Sequence, residues 1–272
     1  MKNQKIKIGL INFINCLPLS YCLEKEKPQN AELIYGTPAR LNKLMAENKI
    51  DIAPISSFEY LKNKNKYFLM TNSCISSDGE CGSVLLFSKK PINSLAGATI
   101  GLPTDSASST AMLKIILNKY DIKLESIIFK QHNYAENIYS LFNSGLDAFL
   151  FIGDNALKNN CILDNSVLIY DIGTLWKELT GLPAVFGTWV AANEKIKQRD
   201  DFEKLQSLIP KAIETGLGLY FNEVLQKASE NTGIKQEIIK DYLTRKIVYN
   251  YTEQRQKSLE LFEKLYIQLN LA

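Results

Sequence analysis

Two apolar stretches, each entered through glycine, divide this chain and constrain its fold more than any other feature. The first runs from Gly79 to Pro91 (GECGSVLLFSKKP) and the second from Thr180 to Asn193 (TGLPAVFGTWVAAN). The chain between them has a complete pattern of alternating strands and helices, and so does the chain outside them. We therefore predict two α/β lobes joined by two extended hinge crossings, with a cleft between the lobes.

The crossings set predicted limits for the two lobes. Lobe 1 comprises residues 1–90 together with residues 187–272, and lobe 2 comprises residues 91–186. The chain has 272 residues, of which 46% are hydrophobic, which suffices for two domains of ordinary size.

The last part of the chain is predicted to be helical from about Lys197 onward. Its final segment carries an apolar face at helical spacing, formed by Leu259, Phe262, Leu265, Tyr266 and Leu269. Such a face packs against another surface. We expect this helical C-terminal tail to cover lobe 1 or a partner subunit.

Charge and apolar patterning exclude several function classes. The net charge of +3 is spread without long basic runs, so nucleic acid is not an expected partner. No stretch approaches the roughly 18 apolar residues of a membrane span. The first residues, MKNQKIKIGLIN, lack the apolar core of a signal peptide, so we expect a cytoplasmic location.

The residue types that hold metals are sparse. Five cysteines form no C-x-x-C pair, and the single histidine, His132, excludes a site built from several histidines. P-loop, G-x-S-x-G and G-x-G-x-x-G motifs are absent from the sequence. His132 could act as an acid or a base, but we expect it in a turn or at the surface.

Polar residues follow several predicted strands, at the strand ends where open α/β sheets bind ligands. Asn15 comes after the first strand, Ser56 and Ser57 after a short buried one, and Asp154 after DAFLFI. Each has a structural alternative, because Asn, Ser and Asp also cap the helices that follow strands. Ser83, at the mouth of the first crossing, is a candidate cleft residue with the alternative that it only ends a turn.

A loop rich in hydroxyl groups gives the clearest chemical signal. Within DSASSTAMLK it places Ser106, Ser108, Ser109 and Thr110 at the start of a strong helix. A helix N-terminus offers unpaired N–H groups and a positive dipole end, and the hydroxyl groups add further donors. One serine would suffice for capping, so four hydroxyl residues favour the binding of a carboxylate or phosphate.

Seven segments, in this order, resemble the chorismate dehydratase family. They are NFINCLPL at 12–19, GTPARLN at 36–42, DIAPISSFEY at 51–60, SVLLFSKKP at 83–91, DSASSTAMLK at 105–114, FIGDNAL at 151–157 and DIGTLWKELTGLPAVFGTWV at 171–190. The resemblance covers almost the whole chain except the final helices. It implies a two-lobed fold of the periplasmic-binding-protein type (type II).

The resemblance also implies an activity in the futalosine route to menaquinone. The family removes water from chorismate and produces 3-[(1-carboxyvinyl)oxy]benzoate, and neither a metal nor an organic cofactor is required by this reaction. Asn15 and Ser83 match the family's loop asparagine and hinge serine, so we expect them at the reacting end of the substrate. The residues that we expect to bind the substrate are Ser56, Ser57, Ser106, Ser108, Ser109, Thr110 and Asp154.

Two alternatives stay open at this point. The same fold serves solute capture, so a binding protein for a small carboxylate is one alternative, and the related 1,4-dihydroxy-6-naphthoate synthase is another. The protein is expected to be a monomer or a homodimer.

Overall fold

The computed structural model describes residues 5–26, 28, 30–132, 138–160, 167–192, 196, 198–199 and 202–271. Asn193 and Lys197, at the predicted end of the second stretch and start of the tail, lie outside these residues. Within the described residues, no helix combines the length and apolarity needed to cross a membrane.

The first sheet contains five strands in the order β2-β1-β3-β10-β4. They are β1 (Ile6–Ile11), β2 (Ala31–Gly36), β3 (Ile52–Ser56), β4 (Phe68–Ser77) and β10 (Ala184–Ala191). β1 is parallel to β2 and β3, whereas β10 is antiparallel to β3 and β4. β10, which follows the strands of the second sheet in the chain, therefore returns to the first sheet and lies between β3 and β4.

The second sheet has the same plan, in the order β7-β6-β8-β5-β9. Its strands are β5 (Val84–Ser88), β6 (Thr99–Pro103), β7 (Ile128–His132), β8 (Ala148–Ile152) and β9 (Leu168–Asp171). β6 is parallel to β7 and β8, and β5 is antiparallel to β8 and β9. Every residue of β5 and β8 is buried, as their unbroken apolar sequences predict for central strands.

Helices flank the two sheets and form the tail. In chain order they are α1 (Leu17–Glu26), α2 (Pro38–Ala46), α3 (Ser57–Lys62), α4 (Ala107–Lys119), α5 (Ile138–Asn143), α6 (Gly153–Asn159), α7 (Ile172–Thr180), α8 (Phe202–Leu217), α9 (Phe221–Thr232), α10 (Gln236–Asp241) and α11 (Glu253–Gln268). The predicted two-lobed α/β fold with a helical tail is confirmed.

The crossings are shorter than the stretches that predicted them. β4 ends at Ser77 in the first sheet and β5 begins at Val84 in the second, so the first crossing is residues 78–83. The second crossing, residues 181–183, connects α7 to β10. The strand of the first stretch therefore belongs to the second sheet. The predicted lobe limits, 1–90 with 187–272 and 91–186, stay a prediction, but sheet pairing places β5 with lobe 2.

The tail packs against both lobes, and not only against lobe 1. In α11, Phe262 lies against Trp176 of α7, with 5.6 Å between ring centroids, and Tyr266 lies 5.2 Å from Phe58 of α3. Ser258 accepts a hydrogen bond from Trp176 Nε1 at 3.1 Å and donates one to the Pro183 carbonyl at 2.6 Å. The last helix thus holds α7 and the second crossing together.

The first crossing is held against the N-terminus of α7. Asp171, the residue before α7, accepts N–H bonds from Cys81 at 3.1 Å and from Gly82 at 2.7 Å. Gly173 allows the close approach, because a Cβ there would lie 2.4 Å from both the Gly79 carbonyl oxygen and Ser77 Oγ. Any side chain at this position must displace the crossing.

Gly173→Ala should therefore lower the free energy of unfolding by about 1–3 kcal/mol, the usual cost of overpacking. Urea denaturation measures the loss. Thr174→Ala is the control, because it leaves the Thr174 N–H bond to Asp171 in place. Equal stabilities of the two variants would contradict the close approach.

Candidate active site

A cavity lies between the lobes, at the carboxyl ends of strands from both sheets. Its empty volume, which includes solvent space at its opening, is about 620 Å³. It is lined by Ile11, Phe13, Asn15, Pro38, Ile55, Ser56, Ile75, Ser83, Val84, Asp105, Ser106, Ala107, Ser108, Ser109, Ile152, Gly153, Phe186, Gly187 and Ile247. Ligands of open α/β sheets bind at such strand ends, so we identify this cavity as the candidate site.

Six of the nine predicted site residues come together here. Those lining the cavity are Asn15, Ser56, Ser83, Ser106, Ser108 and Ser109. Ser57, Thr110 and Asp154 are not among its described lining residues. The described lining residues include neither lysine nor arginine, so an anion in this cavity would be held by N–H and O–H groups.

Asn15 follows β1 in the short helical turn Ile14–Cys16. Its backbone carbonyl accepts a hydrogen bond from the Tyr249 hydroxyl at 2.8 Å. Its side-chain Oδ1 is buried and has no hydrogen-bond partner within the described part of the chain. A buried acceptor left unpaired costs about 1–3 kcal/mol, so this oxygen favours a ligand that donates a hydrogen bond.

Ser83 is the last residue of the first crossing, and only 4% of its surface is exposed. Its carbonyl accepts the Gly153 N–H at 2.7 Å, which ties it to the start of α6. Its Oγ accepts a hydrogen bond from the Tyr242 hydroxyl at 3.0 Å. The proton of the Ser83 hydroxyl is therefore available to a ligand in the cavity.

The hydroxyl-rich loop leads into α4 as predicted. Ser106 occupies the N-cap position, but its side chain makes no capping bond to α4. Ser108 Oγ accepts the N–H of Phe58 from lobe 1 at 3.0 Å, which joins the lobes beside the cavity. Thr110 continues the helix, with its N–H donating to the Ser106 carbonyl at 3.2 Å.

Neighbouring Ser56 and Ser57 have different surroundings. Ser56 caps α3, because its Oγ accepts the Glu59 N–H at 3.1 Å, and it also lines the cavity. The Ser57 side chain is fully buried and its Oγ donates to the Val185 carbonyl of β10 at 2.7 Å. The structure therefore gives Ser57 a structural contact between α3 and β10.

Asp154 connects the lobes next to the cavity. Its Oδ1, in lobe 2, accepts a hydrogen bond from the backbone N–H of Ile14, in lobe 1, at 3.0 Å. Burial raises the pKa of the Asp154 carboxyl from 3.8 to about 6, although the Ile14 N–H opposes the shift. The carboxyl is thus a contact between the lobes that ionises near pH 6.

His132 is buried in lobe 2, so the expectation of a turn or surface position was wrong. A ring nitrogen lies 2.9 Å from the Leu150 carbonyl oxygen, and the ring packs 5.5 Å from that of Phe151. It is not among the described residues that line the cavity. Gly101 of β6, the strand between β7 and β8, leaves room for this ring, because a Cβ there would lie 3.0 Å from His132 Cδ2.

Other titratable groups near the cavity are few. Burial raises the pKa of the Cys16 thiol, next to Asn15, to about 12, so it stays protonated and is a poor nucleophile. Asp105 is the one carboxyl side chain among the described lining residues. The described residues, including those that line the cavity, contain no group of three or more His, Cys, Asp or Glu that could hold a metal. Cys161 lies outside the described residues.

Sequence reasoning missed three aromatic residues at this site. Phe13 and Phe186 line the cavity, and Tyr242 contacts Ser83 from the tail. Phe13 precedes Asn15 in a strand-end loop, so its position was a usable signal. Nothing in the sequence around Tyr242 distinguishes it from an ordinary core residue of a helix.

The raised pKa of Asp154 predicts a pH-dependent stability. Because the folded pKa of about 6 exceeds the ordinary 3.8, the free energy of unfolding falls as pH rises between these values, by at most about 3 kcal/mol. Asp154→Asn removes this contribution, so the variant should gain relative to the wild type over that range. Urea denaturation at several pH values measures the difference. A difference that does not change with pH would contradict the assignment.

Comparison with solved structures shows the fold. A crystal structure of an Archaeoglobus fulgidus protein has a TM-score of 0.79 at 18% identity, with all of both chains covered. The periplasmic aliphatic sulphonate binding protein SsuA from Escherichia coli has a TM-score of 0.73 at 12% identity, covering 99% of this chain and 88% of that one. The fold is of the periplasmic-binding-protein type, as the sequence resemblance implied.

Sequence relatives and a family model agree with each other. A protein of Thermus thermophilus named chorismate dehydratase is 28% identical over 250 residues, covering 87% of this chain and 86% of the relative. A protein of Campylobacter jejuni with the same name is 26% identical over 272 residues, covering 97% and 99%. The model of the menaquinone biosynthesis family matches residues 6–268. This chain therefore belongs to the menaquinone biosynthesis family.

Proposed function

We propose that this protein is a chorismate dehydratase, which converts chorismate to 3-[(1-carboxyvinyl)oxy]benzoate and water. The observation that carries the proposal is the nearly full-length match to two relatives of that name, in a chain whose cleft brings Asn15 and Ser83 together. Chorismate has two carboxylates, which suit a cavity lined by hydroxyl groups and the N-terminus of α4.

The reaction requires little from the protein beyond positioning of the substrate. The C4 hydroxyl leaves with its bonding electrons and the C3 proton is removed, so that the ring becomes aromatic. Aromatisation supplies the driving force. An enzyme for this reaction gains rate by fixing the ring and by hydrogen-bonding the departing oxygen.

The cavity offers groups for each of these tasks. The Ser83 hydroxyl has its proton available for the leaving oxygen, since Tyr242 already donates to its Oγ. The buried Asn15 Oδ1 accepts a hydrogen bond from the substrate. Ser106, Ser108 and Ser109 face a carboxylate of chorismate, together with the first N–H groups of α4.

The C3 proton requires a base, and we assign that role to the substrate's own enolpyruvyl carboxylate. The Cys16 thiol stays protonated, and His132 lies in the core of lobe 2. Asp105 is the competing base within the described lining of the cavity. The two assignments differ in whether Asp105 is needed for turnover.

Purified protein mixed with chorismate should release a product that has lost one water and kept the enolpyruvyl group. Mass spectrometry follows the product, and added chelator should leave the rate unchanged. Chorismate that binds but is returned unchanged would instead support a solute-binding protein, the alternative favoured by the structural likeness to SsuA. Chorismate that neither binds nor reacts would contradict both the dehydratase and the solute-binding proposals. The activity of the related naphthoate synthase would then be tested next.

Side-chain replacements should separate the reacting residues from the rest. Ser83→Ala should lower kcat by about 100-fold, as expected when a donor to a developing charge is lost. Asn15→Ala should lower kcat by a similar factor of about 100, because it removes the acceptor that holds the substrate in its reactive position. Asp105→Asn and His132→Ala should retain most of the wild-type kcat if they fold, because neither residue acts as the base.

Steady-state kinetics with circular dichroism as a folding check measure these four variants. A folded Asp105→Asn or His132→Ala protein without turnover would refute the assignment of the base to the substrate.

We further propose a cytoplasmic location and a monomeric or homodimeric state.

A further inference from the structure

Two phenols of the tail reach the reacting end of the cavity, and Tyr242 is the one whose hydroxyl contacts the Ser83 side chain. After α10 the chain forms a wide π-type turn, Tyr242–Lys246, in which the Ile247 N–H donates to the Tyr242 carbonyl at 3.0 Å. Only 1% of the Tyr242 surface is exposed, and its ring packs with Ile14 and Leu157 in an apolar cluster. Turns of this kind recur at functional sites.

The phenol makes a directed contact with the Ser83 side chain. The Tyr242 hydroxyl donates to Ser83 Oγ at 3.0 Å, across 159 positions of sequence. Burial raises the pKa of the Tyr242 phenol well above its ordinary value, so the phenol stays protonated at neutral pH. With Oγ already accepting from Tyr242, the Ser83 proton is left to point elsewhere.

The turn itself is anchored on the chain before Ser83. Lys246 Nζ lies 2.6 Å from Glu80 Oε1 of the first crossing and 3.6 Å from Asp241 Oδ2. Val248 and Ser76 exchange two backbone hydrogen bonds, of 2.8 and 3.1 Å. Tyr242 is therefore fixed relative to the crossing that carries Ser83, and does not depend on the cavity being occupied.

We propose that Tyr242 is a positioning residue for the dehydration, which holds Ser83 Oγ so that its proton points to the C4 hydroxyl of chorismate. The inference rests on the proposed function and adds a residue to it. Tyr242 itself does not line the cavity among the described residues, so it acts through Ser83. Its effect must therefore disappear when Ser83 is absent.

The test is a double-mutant cycle on kcat with Tyr242→Phe, Ser83→Ala and the double variant. Tyr242→Phe should lower kcat about tenfold, the scale of one lost hydrogen bond, with KM changed less than about twofold. In the Ser83→Ala background the same replacement should change kcat by less than about twofold. Tyr67→Phe is the matched control, because that phenol is also largely buried and donates to Glu59 at 2.8 Å.

Two results would overturn the inference. One is that Tyr242→Phe lowers kcat equally in the presence and absence of Ser83, and the other is that it lowers kcat no more than Tyr67→Phe. If Tyr242→Phe does not fold, Lys246→Met replaces it in the same cycle, since it removes the anchor of the turn on Glu80. Wild-type protein without turnover of chorismate would refute the proposed function together with this inference, and additive losses in an active enzyme would refute the inference alone.

Discussion

The geometry of the cleft depends on how the first crossing, residues 78–83, is held. Asp171 accepts N–H bonds from the crossing on one side. The turn after α10 reaches it from the other side, through an ion pair to Glu80 and a hydrogen bond to Ser83. A six-residue connection has little intrinsic rigidity. These contacts make Ser83 a fixed point between two lobes.

Much of the fold could be predicted from the sequence, because strand and helix periods, glycine entries and strand-end polar residues are local signals. These signals correctly placed Asn15, Ser56 and the serines at the start of α4 at the cavity. The sheet that β5 joins could not be predicted, since a fully buried apolar strand fits the centre of either sheet. Ser57 could not be separated from Ser56, because one residue along the chain decides between facing the cavity and facing β10.

The contacts that the tail makes with the site could not be predicted from the sequence either. Its amphipathic face predicts that it packs, but not that it packs on both lobes or that Tyr242 and Tyr249 reach Ser83 and Asn15. Contacts between residues so distant in sequence leave no local pattern. The aliphatic sulphonate binding protein SsuA has the same fold, so we infer the function of this chain from its cleft side chains and its relatives and not from the fold.

The most direct test of this account is a crystal structure of the Ser83→Ala variant soaked with chorismate. The account predicts intact chorismate between the lobes, with the C4 hydroxyl facing the vacated Ser83 position and a carboxylate at the N-terminus of α4. Chorismate bound with its C4 hydroxyl away from residues 15 and 83, or outside this cavity, would contradict the account.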